Sequence, residues 1–242
     1  LEKQQVIYKD LGVIDYKSAW NYQEELVQQN REIKTTARIQ ANIDNQQSTE
    51  LDICTTNYLL FCEHPAVYTL GKNGSMKNVL LSEKEMEEKQ IEFFKTNRGG
   101  DITFHGLQQV VGYPILDLEN FYTDIGRYLR ELEEVIIKTI AEYGLKGERS
   151  KGETGVWIEP GVIGRERKIC AMGIRCSRWI TMHGFALNVN TDLSYFENII
   201  PCGILNKQVT SLEKELQQKV SLEEIKEKLK KNFSEIFNVE II

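Results

Sequence analysis

The chain has 242 residues, 41% of them hydrophobic and 27% charged, with only four prolines, a balance that excludes a disordered, collagenous or low-complexity protein. Thirty Lys and Arg stand against 36 Asp and Glu, and the net charge of −6 argues against a general nucleic-acid binder. No apolar run approaches the roughly 20 residues that a membrane span needs, and the opening LEKQQVIYKD lacks the apolar core of a secretory signal.

Residues 5–10 alternate weakly and read as a strand. Residues 18–31 read as a helix with Ala19, Tyr22, Leu26 and Val27 as its apolar stripe, and residues 32–56, rich in Gln, Asn and Thr, read as an inserted loop. Two short strands, 57–63 and 67–70, flank His64-Pro65. Ser82-Glu83-Lys84-Glu85 is a capping-box signature that opens a short helix to about residue 89, with a strand at 91–95 behind it. Strands at 101–104 and 109–118 surround the turn His105-Gly106. Thr123 then caps a helix whose Ile125, Leu129, Leu132, Val135, Ile136 and Ile140 recur at helical spacing, and Gly144 suits its C′ position. Strands follow at 154–159, 167–176 and 180–188, and Ser221-Leu222-Glu223-Glu224 opens a last helix carrying Ile225, Leu229, Phe233 and Ile236. Helices and strands in irregular order predict an α/β or α+β fold with a mixed sheet. The five cysteines, Cys54, Cys62, Cys170, Cys176 and Cys202, form no CxxC pair and no zinc-site spacing, so free thiols in a cytoplasmic protein are expected.

Four segments carry polar residues where a plain core would not. Arg98-Gly99-Gly100 permits close backbone approach to a ligand, with Arg98 as an anion contact and His105 as a polar anchor; an ordinary Gly-Gly hairpin with a surface arginine reads equally well. In a strand, Lys168 shares a face with Cys170 and Met172, which makes it either an inward, functional lysine or one reaching solvent from an edge. His183-Gly184 repeats the His-Gly pair of His105-Gly106, and both pairs are candidates for one pocket. Cys202, between Pro201 and Gly203, is a half-buried structural thiol or a loop nucleophile whose pKa a nearby ammonium such as Lys168 would lower.

In order and spacing, RGGDITFHG, RKICAMGIR, MHGFALNVNTDLSYF and IPCGI, with EHPAVYTLG upstream and QVTSL downstream, resemble the octanoyltransferases of lipoate synthesis over roughly residues 57–216. The resemblance implies one catalytic domain over residues 1–242, in the α/β fold shared with biotin and lipoate protein ligases. It implies transfer of an octanoyl group from octanoyl-acyl carrier protein to a lysine of a lipoyl domain through a cysteine thioester, the first step of endogenous protein lipoylation. The partners would be the acyl carrier protein and the lipoyl domains of 2-oxoacid dehydrogenases and the glycine cleavage H protein. No cofactor, metal, nucleic acid or membrane is called for. By the same resemblance Cys202 is the nucleophile and Lys168 tunes it. Substrate contacts map to Arg98, Gly99, Gly100 and Asp101, to Ile102, Thr103, Phe104 and His105, to Ala171, Met172 and Gly173, and to Gly184, Phe185 and Ala186.

One block departs from the pattern. Where the family continues H-G-P-G-Q, this chain has His105-Gly106-Leu107-Gln108-Gln109, which removes two turn-forming residues. Residues 145–178 hold eight Lys and Arg against four Glu and are the expected docking face for acidic carrier proteins. The competing readings are an ATP-dependent lipoate or biotin ligase of the same fold, which would not need Cys202, and a non-catalytic protein that binds acyl chains or lipoyl domains.

Overall fold

A computed structural model describes residues 3–43, 54–200 and 208–242. In chain order its strands are β1 (Gln4–Val13), β2 (Asn57–Glu63), β3 (Val67–Leu70), β4 (Glu92–Lys95), β5 (Ile102–His105), β6 (Gln109–Ile115), β7 (Gly147–Glu148), β8 (Val156–Ile158), β9 (Arg167–Ser177), β10 (Ile180–Asn188), β11 (Gln208–Val209) and β12 (Val239–Ile241). The helices are α1 (Tyr16–Ile43), α2 (Glu83–Glu88), α3 (Ile125–Ala141), α4 (Leu212–Leu216) and α5 (Leu222–Phe237).

A large mixed sheet runs in the order β12-β1-β2-β6-β10-β9-β8-β7, with β11 added in parallel to β9, and β4-β3-β5 form a second, smaller sheet. Period-two alternation places the large sheet between two layers. Leu59 and Phe61 of β2 join the core beneath α3 and α5, whereas Leu60 and Cys62 join the core beneath α1. The parallel pair β1–β2 is connected through α1, and the remaining central pairs are antiparallel, so the predicted mixed α/β sheet is what the chain forms.

Local signals set many boundaries. Ser82 and Glu85 make both bonds of the capping box at α2, and Ser221 caps α5. Asp124 rather than Thr123 caps α3, its carboxylate accepting from the Arg127 N–H at 2.9 Å. The cap residue at the far end of α3 is Glu142, and Gly144 follows two positions later in the left-handed region at φ 79°.

The largest difference lies in the expected loop. Residues 32–43 continue α1, and 44–53 lie outside the described residues. The helix continues because its buried face turns polar rather than ending. Asn30 donates to the Thr56 carbonyl at 2.8 Å and accepts from the Thr56 N–H at 2.9 Å. Lys34, 1% exposed, lies 2.7 Å from Asp117 and 2.8 Å from Glu119, and donates to the Arg178 carbonyl at 3.0 Å. A search for an apolar stripe ends where these residues begin.

Candidate active site

A pocket of about 820 Å³, open solvent at its mouth included, lies where the small sheet and the 98–101 loop face strands β6, β9 and β10 of the large one. Ile102, Val111, Met172, Phe185, Ala186 and Phe196 give it an apolar lining. Close backbone approach holds the two sheets together. The Gly99 N–H donates to the Ile174 carbonyl at 2.8 Å, and a Cβ on Gly173 would come within 2.6 Å of the Gly99 carbonyl oxygen. A Cβ on Gly184 would meet the Gly112 carbonyl oxygen at 2.2 Å, so β10 and β6 also need a glycine at this point.

Of the substrate contacts expected from sequence, Arg98, Gly100, Asp101, Ile102, Thr103 and His105 line this pocket, as do Ala171, Met172, Gly173, Gly184, Phe185 and Ala186. Gly99 and Phe104 do not. Gly99 is taken up by the junction with β9, and Phe104 turns to the opposite side of β5, stacked on Tyr195 with centroids 4.6 Å apart. Adjacent along the strand, Thr103 and Phe104 point to opposite faces.

Arg98 is 7% exposed, and much of its hydrogen bonding goes to its own loop and β3. Its guanidinium donates to the carbonyls of Thr69 (2.6 Å), Gly99 (3.0 Å) and Asp101 (2.9 Å), and to the Thr69 hydroxyl at 2.9 Å. The arginine shapes the loop, and its charge bears on the imidazoles nearby.

All three histidines of the chain are buried in this region. His64 donates from Nδ1 to the Ile14 carbonyl at 2.7 Å and accepts at Nε2 from the Tyr113 hydroxyl at 2.8 Å. Burial pulls its pKa down to about 4. His105 meets the Thr69 hydroxyl at Nε2 (3.3 Å) and donates from Nδ1 to Gln109 Oε1 (2.9 Å). Gln109 then donates to Asn188 Oδ1 at 2.9 Å, and Asn188 donates to the Thr210 carbonyl at 3.0 Å. Burial first, then His64 and Arg98, hold the His105 pKa well below the usual imidazole value. His183 donates from Nε2 to Asn97 Oδ1 at 2.7 Å, and burial, with Arg98 and Arg175 behind it, lowers its pKa to about 3. The pocket therefore presents neutral imidazoles at physiological pH.

Gln109, Tyr113, Asn188 and Tyr16 are pocket residues that were not among the expected substrate contacts. The signal for two of them was present: Gln109 and Asn188 are amides within strands that are otherwise fully buried.

Lys168 also lines the pocket, half-buried, with Nζ 4.6 Å from the centroid of the Trp157 ring. The expectation that it shares a face with Cys170 is corrected by an irregularity in the ladder. Val156 pairs with Cys170 but Trp157 pairs with Lys168, so Ile169 is the extra residue of a bulge. Cys170 is fully buried in the main core with its thiol pKa pushed up by burial, while Lys168, Ala171 and Gly173 face the pocket. Cys202 lies outside the described residues, which rejoin at β11 beside Lys168, where the Thr210 N–H donates to the Lys168 carbonyl at 2.9 Å.

The divergent turn keeps a definite shape. Gln108 adopts the left-handed region at φ 63°. Its N–H donates to Glu63 at 2.7 Å, and its side-chain oxygen accepts from Asn190 at 2.8 Å. The basic stretch 145–178 is largely neutralised in place. Lys146, Arg149, Arg165, Arg167 and Arg175 each pair with a glutamate, and Glu24, Glu133, Glu134 and Glu215 among these come from outside the stretch. Among the described residues no helix is long and apolar enough to cross a membrane, and no cluster of His, Cys, Asp or Glu is arranged to hold a metal ion.

Residues 15–234 match the model of the lipoyl protein ligase A/B catalytic domain. An octanoyltransferase of Christiangramia forsetii is 57% identical over 98% of this chain and 97% of its own, and one of Flavobacterium johnsoniae is 59% identical over 97% of each. The chain belongs to the octanoyltransferase family. Among solved structures, a bipartite lipoate protein ligase of Thermoplasma acidophilum superposes with a TM-score of 0.68 at 16% identity, covering 100% of this chain and 86% of that one, which shows a shared fold.

Proposed function

We propose that this octanoyltransferase takes the octanoyl group from acyl carrier protein onto Cys202 and passes it to a lysine of a lipoyl domain. The Cys202 thiolate attacks the donor thioester; the bond from carbonyl to carrier sulfur breaks as the bond to Cys202 forms, and the carrier leaves as a thiolate that takes up a proton. The amine of the acceptor lysine then attacks the acyl-cysteine, gives up a proton, and releases the Cys202 thiolate. The first exchange replaces one thioester by another and the second makes a more stable amide, so neither needs ATP. A free cysteine has a pKa of about 8.5 and is only a few per cent ionised at neutral pH. An ammonium on Lys168 favours the thiolate by Coulomb attraction.

The observation that carries the reading is Lys168 in the wall of an apolar pocket, on the strand that pairs with β11, in a chain whose relatives are octanoyltransferases along nearly their whole length. Burying about six methylenes of the acyl chain contributes on the order of 5 kcal/mol. One methylene more or less changes this by only about 1 kcal/mol, so chain-length preference is graded rather than absolute.

The test is intact-mass analysis after mixing with octanoyl-acyl carrier protein and no ATP. Cys202 gains one octanoyl group, an unmodified lipoyl domain discharges it, and Cys202→Ser gains nothing. Transfer at an undiminished rate by Cys202→Ser, or a requirement for free octanoate and ATP, would overturn the mechanism.

A further inference from the structure

Lys168 has an aromatic neighbour with no freedom to leave. Trp157 is its direct cross-strand partner, only 2% exposed, and β8 is held on both sides, by β9 and by Glu148 of β7 opposite Trp157 itself. The Lys168 Nζ lies 4.6 Å from the indole centroid, within the range where the negative face of the ring attracts a cation. The pair continues the register of Ile158 with Arg167, and the bulge at Ile169 follows it, before Val156 pairs with Cys170.

We infer that Trp157 is a positioning residue, whose indole face holds the Lys168 ammonium at the pocket wall. This rests on the reading of Lys168 as the cation that activates Cys202. The other charged or titratable groups of the pocket are Arg98, Asp101, Tyr16, Tyr113 and the neutral His105 and His183, and the Lys168 charge also reaches the Cys170 thiol below. Arg167, next along β9, is closed by its pairs with Glu159 and Glu215.

Fluorinated tryptophans placed at position 157 alone test this, because they keep the ring's shape while draining its face of negative charge. Two midpoints are read in the full-length protein: the Lys168 titration by NMR, and the pH dependence of Cys202 alkylation by iodoacetamide. Across the series from tryptophan to tetrafluorotryptophan, the Lys168 midpoint falls by roughly half to one pH unit, and the Cys202 midpoint rises. Trp157→Phe retains part of the effect and Trp157→Leu none, with thermal unfolding as the check on folding. A Lys168 midpoint that fluorination does not move overturns the role of Trp157, whatever Cys202 does. A Lys168 midpoint that moves while Cys202 alkylation does not leaves Trp157 in place and refutes the pairing of Lys168 with Cys202.

Discussion

Lys34→Met should be among the most damaging substitutions outside the pocket. The lysine sits on the continuation of α1 and its ammonium lies 2.7 Å from Asp117, with both side chains at 2% exposure or less. Methionine keeps much of the apolar stem and removes only the charge. The Asp117 carboxylate then retains the Thr55 hydroxyl at 3.0 Å and the Glu119 N–H at 3.2 Å, but no longer has its Lys34 partner. Breaking a buried pair from one side costs about 3–5 kcal/mol, because the surviving charge stays out of water. At about 2–4 °C per kcal/mol for a chain of this size, the melting temperature falls by roughly 10 °C. The measurement is thermal unfolding by circular dichroism at pH 7 for Lys34→Met, Asp117→Asn and the double variant. The double variant, with neither charge, should recover much of the loss. Lys34→Met within about 1 kcal/mol of the parent, or a double variant no more stable than the worse single one, would refute the argument that this ion pair anchors the polar half of the helix.

Stability should also fall as the solution is acidified below the unfolded-state imidazole pKa of about 6.5, since the unfolded chain takes up protons that buried His64, His105 and His183 refuse. The contribution is intact above that pH and is lost at about 1.4 kcal/mol per pH unit per imidazole, for His64 down to its folded value of about 4. Urea midpoints at pH 7.5 and 5 check this, and equal values at both would contradict it. Gly184→Ala forces a methyl against the Gly112 carbonyl oxygen, 2.2 Å away in the central sheet, and should cost about 1–3 kcal/mol or more in unfolding free energy; an unchanged melting temperature counts against the close approach. At the divergent turn, Gln108→Gly relieves left-handed strain of about 1 kcal/mol but loses the Asn190 bond and adds unfolded-state freedom, so stability should stay within about 1 kcal/mol of the parent. Gln108→Val, which tolerates φ 63° poorly, should destabilise clearly in the same denaturation series.

What the sequence made legible was whatever is decided locally. The bounds of β2 and β3 follow from short apolar runs either side of His64-Pro65, and the starts of α2 and α5 from serine caps. The second half of α1 was hidden because Lys34 finds its partner 83 residues away, and no window along the chain contains both. The bulge at Ile169 was hidden for a related reason: it belongs to the pairing of β8 with β9, and neither strand alone announces it. In the pocket, ordered blocks located most of the lining, Gly99 and Phe104 excepted. The bonds that bury Arg98 against the carbonyls of Thr69, Gly99 and Asp101 were not legible, because Thr69 lies 29 residues away.

The bonds from Arg98 through Thr69, His105, Gln109 and Asn188 to Thr210 all run one way. A guanidinium has only protons to give, and a backbone carbonyl only lone pairs, so the direction is fixed at both ends. No hydroxyl can rotate and no amide can turn over without breaking the links that follow it. His105 is thereby confined to one tautomer, and this wall owes its rigidity to the stoichiometry of donors and acceptors as much as to close packing.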